Sequence, residues 1–468
     1  MKQYLTHPVF HITQQCAHKI NMPAYVVGGW VRDLLLHRPC KDIDMVCVGD
    51  GIALAQAVAK KLGNKTNVTV FKTYGTAQIK LHDVTLEFVG ARTESYGAAS
   101  RNPIVKPGTL LDDQLRRDFT VNALAISLND DFGALIDAFN GMEHLSQKKL
   151  VTPTNPDITF TDDPLRMLRA IRFASQLKFE IAAEALAAIN KNAHRISIIS
   201  QERITDEINK IILSSKPSIG FKLLFDTGLL QLIFPQMVAL HGVSTINGKS
   251  HKDNFYHTLQ VLDNVCKTSD DLWLRWAAIL HDIAKPATKR YEPNHGWTFH
   301  GHEDKGARMV PGIFKQFKLP LSEPMRFVQK LVKLHLRPIV LAQEIVTDSA
   351  IRRLLFEAGD DIDALMKLCT ADITSKNEMK VKRFLNNYEL VKQKLIEVEE
   401  KDRIRNWQPP ITGEIIMQTF NLKPSPAIGT IKQIIRDAIL DGDINNNYDE
   451  AYALMIKTAA SLGIKPGN

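Results

Sequence analysis

The sequence predicts an α+β fold: a head of mixed strands and helices over about the first 140 residues, then an almost wholly helical remainder. Two observations carry this. Strand-like runs at 68–71, 76–81, 86–89 and 123–128 alternate with helical patterns such as 51–62. From Pro164 onward, apolar residues recur instead at three-and-four spacing, in 201–213, 220–234, 257–265, 272–284, 324–336 and 350–368. The stretch 288–301, with Pro293, Asn294 and Gly296, reads as an irregular insert. A polar helix over 381–403 stops at Trp407-Gln408-Pro409-Pro410, and a last helical unit starts at Ile411. These breaks suggest segments 1–150, 151–235, 236–400 and 401–468.

A chain of 468 residues exceeds what one hydrophobic core usually supports, and its 44% apolar content is ordinary for a globular protein. No apolar run reaches the roughly 20 residues of a bilayer span, and the start of the chain shows no secretory signal, so no membrane association is expected. The five cysteines are odd in number and lack a CxxC pair, which fits reduced thiols and a cytoplasmic location. The net charge of +8 favours a polyanionic partner.

Tyr25 to Val27 read as a short buried strand. The pair Gly28-Gly29 then allows a turn with no Cβ to obstruct a phosphate, and a helix follows from Val31. Its exposed amides suit an anion, and Arg32, followed by Asp33, offers a forked donor for phosphate oxygens. Asp42 and Asp44, two apart on the next strand, point to one face and can hold Mg²⁺. Separately, the two halves are no more than a glycine turn and a pair of solvated aspartates; joined, they point to metal-dependent chemistry on a nucleoside triphosphate.

Arg116-Arg117-Asp118-Phe119-Thr120-Val121-Asn122 places two arginines, a carboxylate and an amide before an apolar strand. The cluster reads either as a clamp for a triphosphate and ribose or as an ion-paired surface turn. Asp163 precedes a proline where a helix should start, the position of an N-cap. Arg166, Arg169 and Arg172 then recur every three residues, beside an apolar stripe of Leu165, Leu168 and Ile171. Solvation of that basic stripe is the competing reading.

Taken in order, GG-x-VRD with DxD, RRDFT-x-NA and DDPLR-x-LRA-x-RF resemble the head signatures of the class II tRNA nucleotidyltransferases (CCA-adding enzymes) and bacterial poly(A) polymerases. The resemblance covers about the first 175 residues and implies a head like that of DNA polymerase beta, followed by a helical neck, body and tail. By it, Asp42 and Asp44 are catalytic and bind two Mg²⁺ ions. Gly28, Gly29, Arg32, Asp33, Arg117, Asp118 and Asn122 line the nucleotide, and Asp163 and Arg166 select the base, with Arg169 and Arg172 nearer the phosphates. A carboxylate accepts from the exocyclic amine that cytosine and adenine share, so C and A are the expected bases. CTP, ATP and tRNA are the implied partners. Glu87 reads either as a third metal carboxylate or as a solvent residue of an edge strand. Two departures stand out: Asp162 replaces a usual Glu, and Asp137-Ala138-Phe139-Asn140-Gly141 has Asn where a second Gly is common.

His257, the dipeptide His281-Asp282, and Asp372 lie on separate predicted helices, with His302 and His335 between them. Imidazoles and carboxylates converging from helices make a mixed site for a divalent metal, unless the histidines merely complete a helical core. The pattern resembles an HD phosphohydrolase domain, implying metal-dependent hydrolysis of phosphate esters. In the tail, Lys401, Arg403, Arg405, Trp407, Lys423 and Lys432 form either a solvated face or a shape-reading contact with tRNA.

Overall fold

The computed structural model describes residues 1–63, 66–72, 75–81, 83–95, 104–341, 347–374, 378–402 and 407–465. Two compact units divide at Val238: Met1–Val238 and Ala239–Asn468. The first takes in the expected head and neck, and the second the expected metal domain and tail.

The first unit is built on one seven-stranded sheet. Its strands among β1 to β9 are β1 (Ala24–Val27), β2 (Asp42–Cys47), β3 (Val68–Phe71), β4 (Thr76–Lys80), β5 (Thr85–Gly90), β8 (Ala125–Ser127) and β9 (Leu135–Ile136); β6 (Arg92–Ser95) and β7 (Ile104–Pro107) pair separately. The order is β3-β4-β5-β2-β1-β8-β9, with β2 and β5 parallel and the other pairs antiparallel. Strand alternation gives the sheet two faces. Ile43, Met45, Leu86 and Phe88 are buried in the main core with residues of the helices Pro8–Lys19 and Gly51–Leu62. Asp42, Asp44 and Glu87 take the opposite face, where Val27, Val46, Ala91 and Ala125 form a smaller apolar cluster. Glu87 is not on an edge, because β5 lies between β4 and β2.

The helix over 51–62 matches its predicted range, and its N-cap Asp50 accepts amide hydrogens from Ile52 and Ala53. Three apolar stretches expected to be single helices are broken. The stretch 220–234 splits into Pro217–Asp226 and Leu229–Ile233, because Gly228 turns left-handed at φ +74°. The stretch 272–284 ends as a helix at Leu280, and 350–368 becomes Asp348–Ala358 and Ile362–Asp372 around Gly359. Periodicity does not register such breaks when the apolar residues on both sides still face a core. The insert over 288–301 is not irregular: Arg290–Glu292 pairs with Gly296–Thr298 as a hairpin. In the tail, three helices (Gly413–Phe420, Pro426–Asp441, Tyr448–Ser461) bury Ile416, Ile431, Ile435, Ala451 and Met455 in a core of their own. Lys423 and Lys432 are exposed, Lys401 falls within Glu378–Asp402, and Arg403 and Arg405 lie outside the described residues. Among the described residues no helix is long and apolar enough to cross a membrane.

Gly51 lets its helix lie against β5: a Cβ there would stand 2.7 Å from the carbonyl carbon of Val89 and 2.8 Å from the Gly90 nitrogen. Backbone cannot swing aside as a side chain can. Gly51→Ala is therefore expected to destabilise the first unit by about 1–3 kcal/mol, read as lost hydrogen-exchange protection in β5 and the 51–62 helix.

Candidate functional site

The head site starts from register. Asp44 of β2 pairs with Glu87 of β5 and with Val27 of β1, so the chain leaves β1 into Gly28 beside the Asp44 carboxylate. Gly28 adopts φ +78°, and a Cβ there would meet Arg117 Nη1 at 2.9 Å and Asp44 Oδ2 at 3.0 Å. The glycine thus keeps open the space between a carboxylate and a guanidinium. Its N–H donates to Leu124 O at 3.3 Å, and the helix Gly29–Leu35 follows. The Asp44 carboxyl is pushed up to about 6 by burial; Arg117 opposes this, and Glu87 and Asp42 add to it. A bound cation would relieve the crowding of carboxylates around Asp44, so this donor set fits a divalent metal such as Mg²⁺.

The arginines are held by buried acids. Asp113, fully buried, accepts from Arg117 Nε at 3.1 Å and Nη2 at 2.9 Å and also pairs with Arg116. Arg116 reaches Glu94 at 3.2 Å. Arg32 donates to Asp33 at 3.0 and 2.8 Å and to Asn122 Oδ1 at 2.7 Å. Asn122 donates in turn to Asp118 Oδ1 at 2.9 Å, and Arg169 Nε donates to Asp118 Oδ2 at 2.7 Å. Arg172 pairs with the buried Glu207 at 3.0 Å. The Phe173 ring lies 4.9, 5.5 and 4.3 Å from the guanidinium carbons of Arg32, Arg169 and Arg172. Arg169 and Arg172 are therefore ion-paired members of a network and not part of a freely solvated stripe. Likewise Arg32, expected to face phosphate, has its fork engaged by Asp33 and Asn122.

The base-selecting pair is placed but not joined. The helix starts at Leu165, one residue later than expected, yet Asp163 Oδ1 still accepts the Leu165 amide at 3.1 Å. Its other oxygen is 3.5 Å from Arg203, while Arg166 donates to the carbonyls of Arg116 at 2.5 Å and Thr159 at 3.4 Å. Asn140, in the departed loop, takes a left-handed φ of +56° that asparagine tolerates, and Asp137 accepts the amides of Gly141 and Met142. Sequence reading missed Asp113, Glu207, Phe173 and Arg203. Asp113 was within reach of it: Arg116 and Arg117 lie three and four residues on, at helical pairing distance.

The second unit brings all six expected ligands together. His257, His281 and Asp372 form one group, and Asp282, His302 and His335 another, each with ligand atoms within 4.8 Å of one another. Asp282 joins them. Its Oδ2 is 3.5 Å from His257 Nε2 and 3.2 Å from His281 Nε2, and its Oδ1 is 3.2 Å from His302 Nε2 and 3.8 Å from His335 Nε2. Every Nδ1 faces away from the centre: to Thr374 Oγ1 (2.9 Å, His257) and to the carbonyls of Ala278 (2.8 Å, His281), Phe299 (2.8 Å, His302) and Val332 (2.7 Å, His335). Carbonyls only accept, so at least His281, His302 and His335 carry a proton on Nδ1, and Nε2 is the nitrogen each turns toward the centre. His281 Nε2 is buried without a hydrogen bond, which fits a metal and not a satisfied core. Burial acts against protonation of His281, but Asp282 and Asp372 override it and lift its value to about 10, so the centre draws positive charge.

Nucleotidyl-transfer carboxylates beside a glycine turn, on a chain with a histidine–aspartate metal centre, define a nucleotidyltransferase-type head followed by an HD domain. The comparisons agree. Profiles for the poly A polymerase head domain, the "Probable RNA and SrmB-binding site of polymerase A" and the HD domain match residues 24–151, 178–240 and 254–375. The chain thus carries a poly A polymerase head domain, followed by an RNA-binding region of that type and an HD domain. Its fold is similar to that of a tRNA nucleotidyltransferase complexed with a primer tRNA and an incoming ATP analog (24% identity, TM-score 0.57, covering 81% of this chain and 99% of that one). It is also similar to the Thermotoga maritima CCA-adding enzyme complexed with tRNA-CCA (20%, 0.59, 97% and 95%) and to a CCA-adding enzyme with ATP (21%, 0.63, 97% and 95%).

Asp118 is 6% exposed, and burial favours its neutral form, but Arg169 and Asn122 hold its carboxyl down at about 2. A lowered folded value stabilises above the unfolded pKa, and that stability is lost as pH falls through about 2. Between pH 5 and 2 the wild-type first unit should lose about 2 kcal/mol more stability than an Asp118→Asn variant, measured by urea unfolding across that range.

Proposed function

We propose that the head adds C, C and A in turn to the 3′ end of tRNA from CTP and ATP, and that the HD centre hydrolyses phosphate esters at RNA ends. The observation that carries the first part is the Asp44–Gly28–Arg117 juxtaposition, with Asp42 and Glu87 on the same sheet face. Bound Mg²⁺ would supply activation of the RNA 3′-hydroxyl and charge neutralisation for the departing pyrophosphate. Asp42 and Asp44 would hold it, with Glu87 in reach, and Arg117 sits where triphosphate charge would gather. Asp118, Asn122, Arg169 and Arg172 brace that wall. Asp163 accepts from the amine of C or A, and its loose 3.5 Å pair with Arg203 is one such an amine can replace. The complexes of similar proteins with tRNA, ATP and CTP support these substrates.

Six convergent ligands support the hydrolase. On a 2′,3′-cyclic phosphate, a water oxygen bonds to phosphorus, one ester P–O bond breaks, and the freed ribose oxygen takes up a proton, leaving a phosphomonoester. Bound divalent metal supplies acidity to that water. Lys285, donating to Asp282 at 2.6 Å, stands where phosphate charge would be met.

With tRNA transcripts ending before CCA, after C and after CC, and CTP or ATP supplied singly, ordered C-C-A addition is expected. Open-ended A addition would instead mark a poly(A) polymerase, which shares this head. Asp42→Ala should lower incorporation about a thousandfold by removing a metal ligand. His281→Ala should lose bound metal and cyclic-phosphate hydrolysis, measured by elemental analysis and product release, while nucleotide addition continues.

A further inference from the structure

Beside the HD centre lies a group of aromatic rings with no part in the chemistry above. The hairpin Arg290–Glu292/Gly296–Thr298 carries Tyr291 and Trp297, with ring centroids 5.3 Å apart. His251 lies 5.5 Å from Trp297 and 5.7 Å from Phe299, edge to face with both. All four rings keep part of their surface exposed, whereas Trp276, Phe314 and Phe317 in the same unit are fully buried. Rings serving only to hold a hairpin would be expected to bury their faces.

Cations are interleaved with them. Lys289 Nζ lies 4.5 Å from the Trp297 ring centroid, and Lys285 Nζ lies 5.7 Å from that of Phe299. Lys285 is also the residue bonded to Asp282, so the ring cluster reaches the metal ligands through one side chain. Two further links fix it there. Phe299 O accepts from His302 Nδ1 at 2.8 Å, binding the cluster to one ligand group. Next to His251, Lys252 donates to Thr374 Oγ1 at 2.7 Å, and Thr374 meets His257 Nδ1 at 2.9 Å, binding it to the other. A surface of aromatic rings and lysines suits a nucleobase with its phosphate, because every base has a stackable face.

We propose that Trp297 and its neighbouring rings form a base-reading platform for the HD centre. Its substrate would then be a nucleoside phosphate, either free or as the 3′-terminal nucleotide of an RNA, and not phosphate esters at large. This rests on the hydrolase reading above. The platform sets affinity for the base, while the six ligands act on the phosphate.

The test compares adenosine 2′,3′-cyclic phosphate, a tRNA ending in a 2′,3′-cyclic phosphate, and base-free glycerol 1,2-cyclic phosphate. Trp297→Ala should raise KM for the nucleotide substrates about tenfold or more with little change in kcat, and leave KM for the glycerol ester unchanged. Trp297→Phe should restore most of the loss. An effect on both nucleotide substrates shows that the terminal nucleoside alone is read; an effect on the tRNA only shows that the RNA end is the source. Equal effects on all three substrates, or none, overturn the platform. If the wild-type protein hydrolyses nothing, the hydrolase reading fails by itself. The platform is then decided by fluorescence quenching with adenosine 2′-monophosphate: quenching present in wild type and absent in Trp297→Phe supports it, and identical quenching overturns it.

Discussion

The bond between the buried Asp118 and the partly exposed Arg169, 2.7 Å long, is the contact on which the head site turns. A buried charge costs several kcal/mol unless it is paired and its remaining hydrogen-bonding capacity is filled. Asp118 meets that condition with Arg169 on one oxygen and Asn122 on the other. Asn122 then faces Arg32, and Arg32, Arg169 and Arg172 share the ring of Phe173. Loss of one member leaves the others as unpaired charges in an apolar wall, so the arrangement is held as a unit. Asp113 applies the same rule to Arg116 and Arg117. Guanidinium groups held this way lose little freedom when an anion arrives, the preorganisation a charge-stabilising site needs.

The second unit uses the opposite arrangement. Its histidines are held through Nδ1 by carbonyls and a hydroxyl, which leaves the inward nitrogens and two carboxylates without an internal balance of charge. Asp282 stands between the two ligand groups and is also approached by Lys285. Where the head satisfies its charges internally and leaves a face of carboxylates for metal, this centre is itself the unsatisfied part. A cation completes it, displacing the proton that His281 otherwise takes.

Much of this was legible along the chain. Several strands of the head, the 51–62 helix, and the shared face of Asp42 and Asp44 follow from local spacing, and the six residues of the HD centre from their chemistry and the pattern they make along the chain. Local spacing also states where a residue can point, given its element. It does not state which residues stand opposite, and this is why the acids that pair with Arg32, Arg169 and Arg172 could not be read from it. Glu87 was ambiguous for the same reason: whether a strand lies at an edge is decided by its neighbours.

By itself the sequence determined several elements of the head, the glycine turn, and which side chains could serve as metal ligands, because backbone periodicity and side-chain chemistry are local properties. Only the tertiary structure decided that Glu87 lies beside Asp44 through the parallel pairing of β2 with β5, and that Asp113, Asp118 and Glu207 claim the arginines. It alone placed the rings of 291–299 against the HD ligands. Those outcomes depend on which charges leave water together, and that is set by packing between segments as many as 50 residues apart or more.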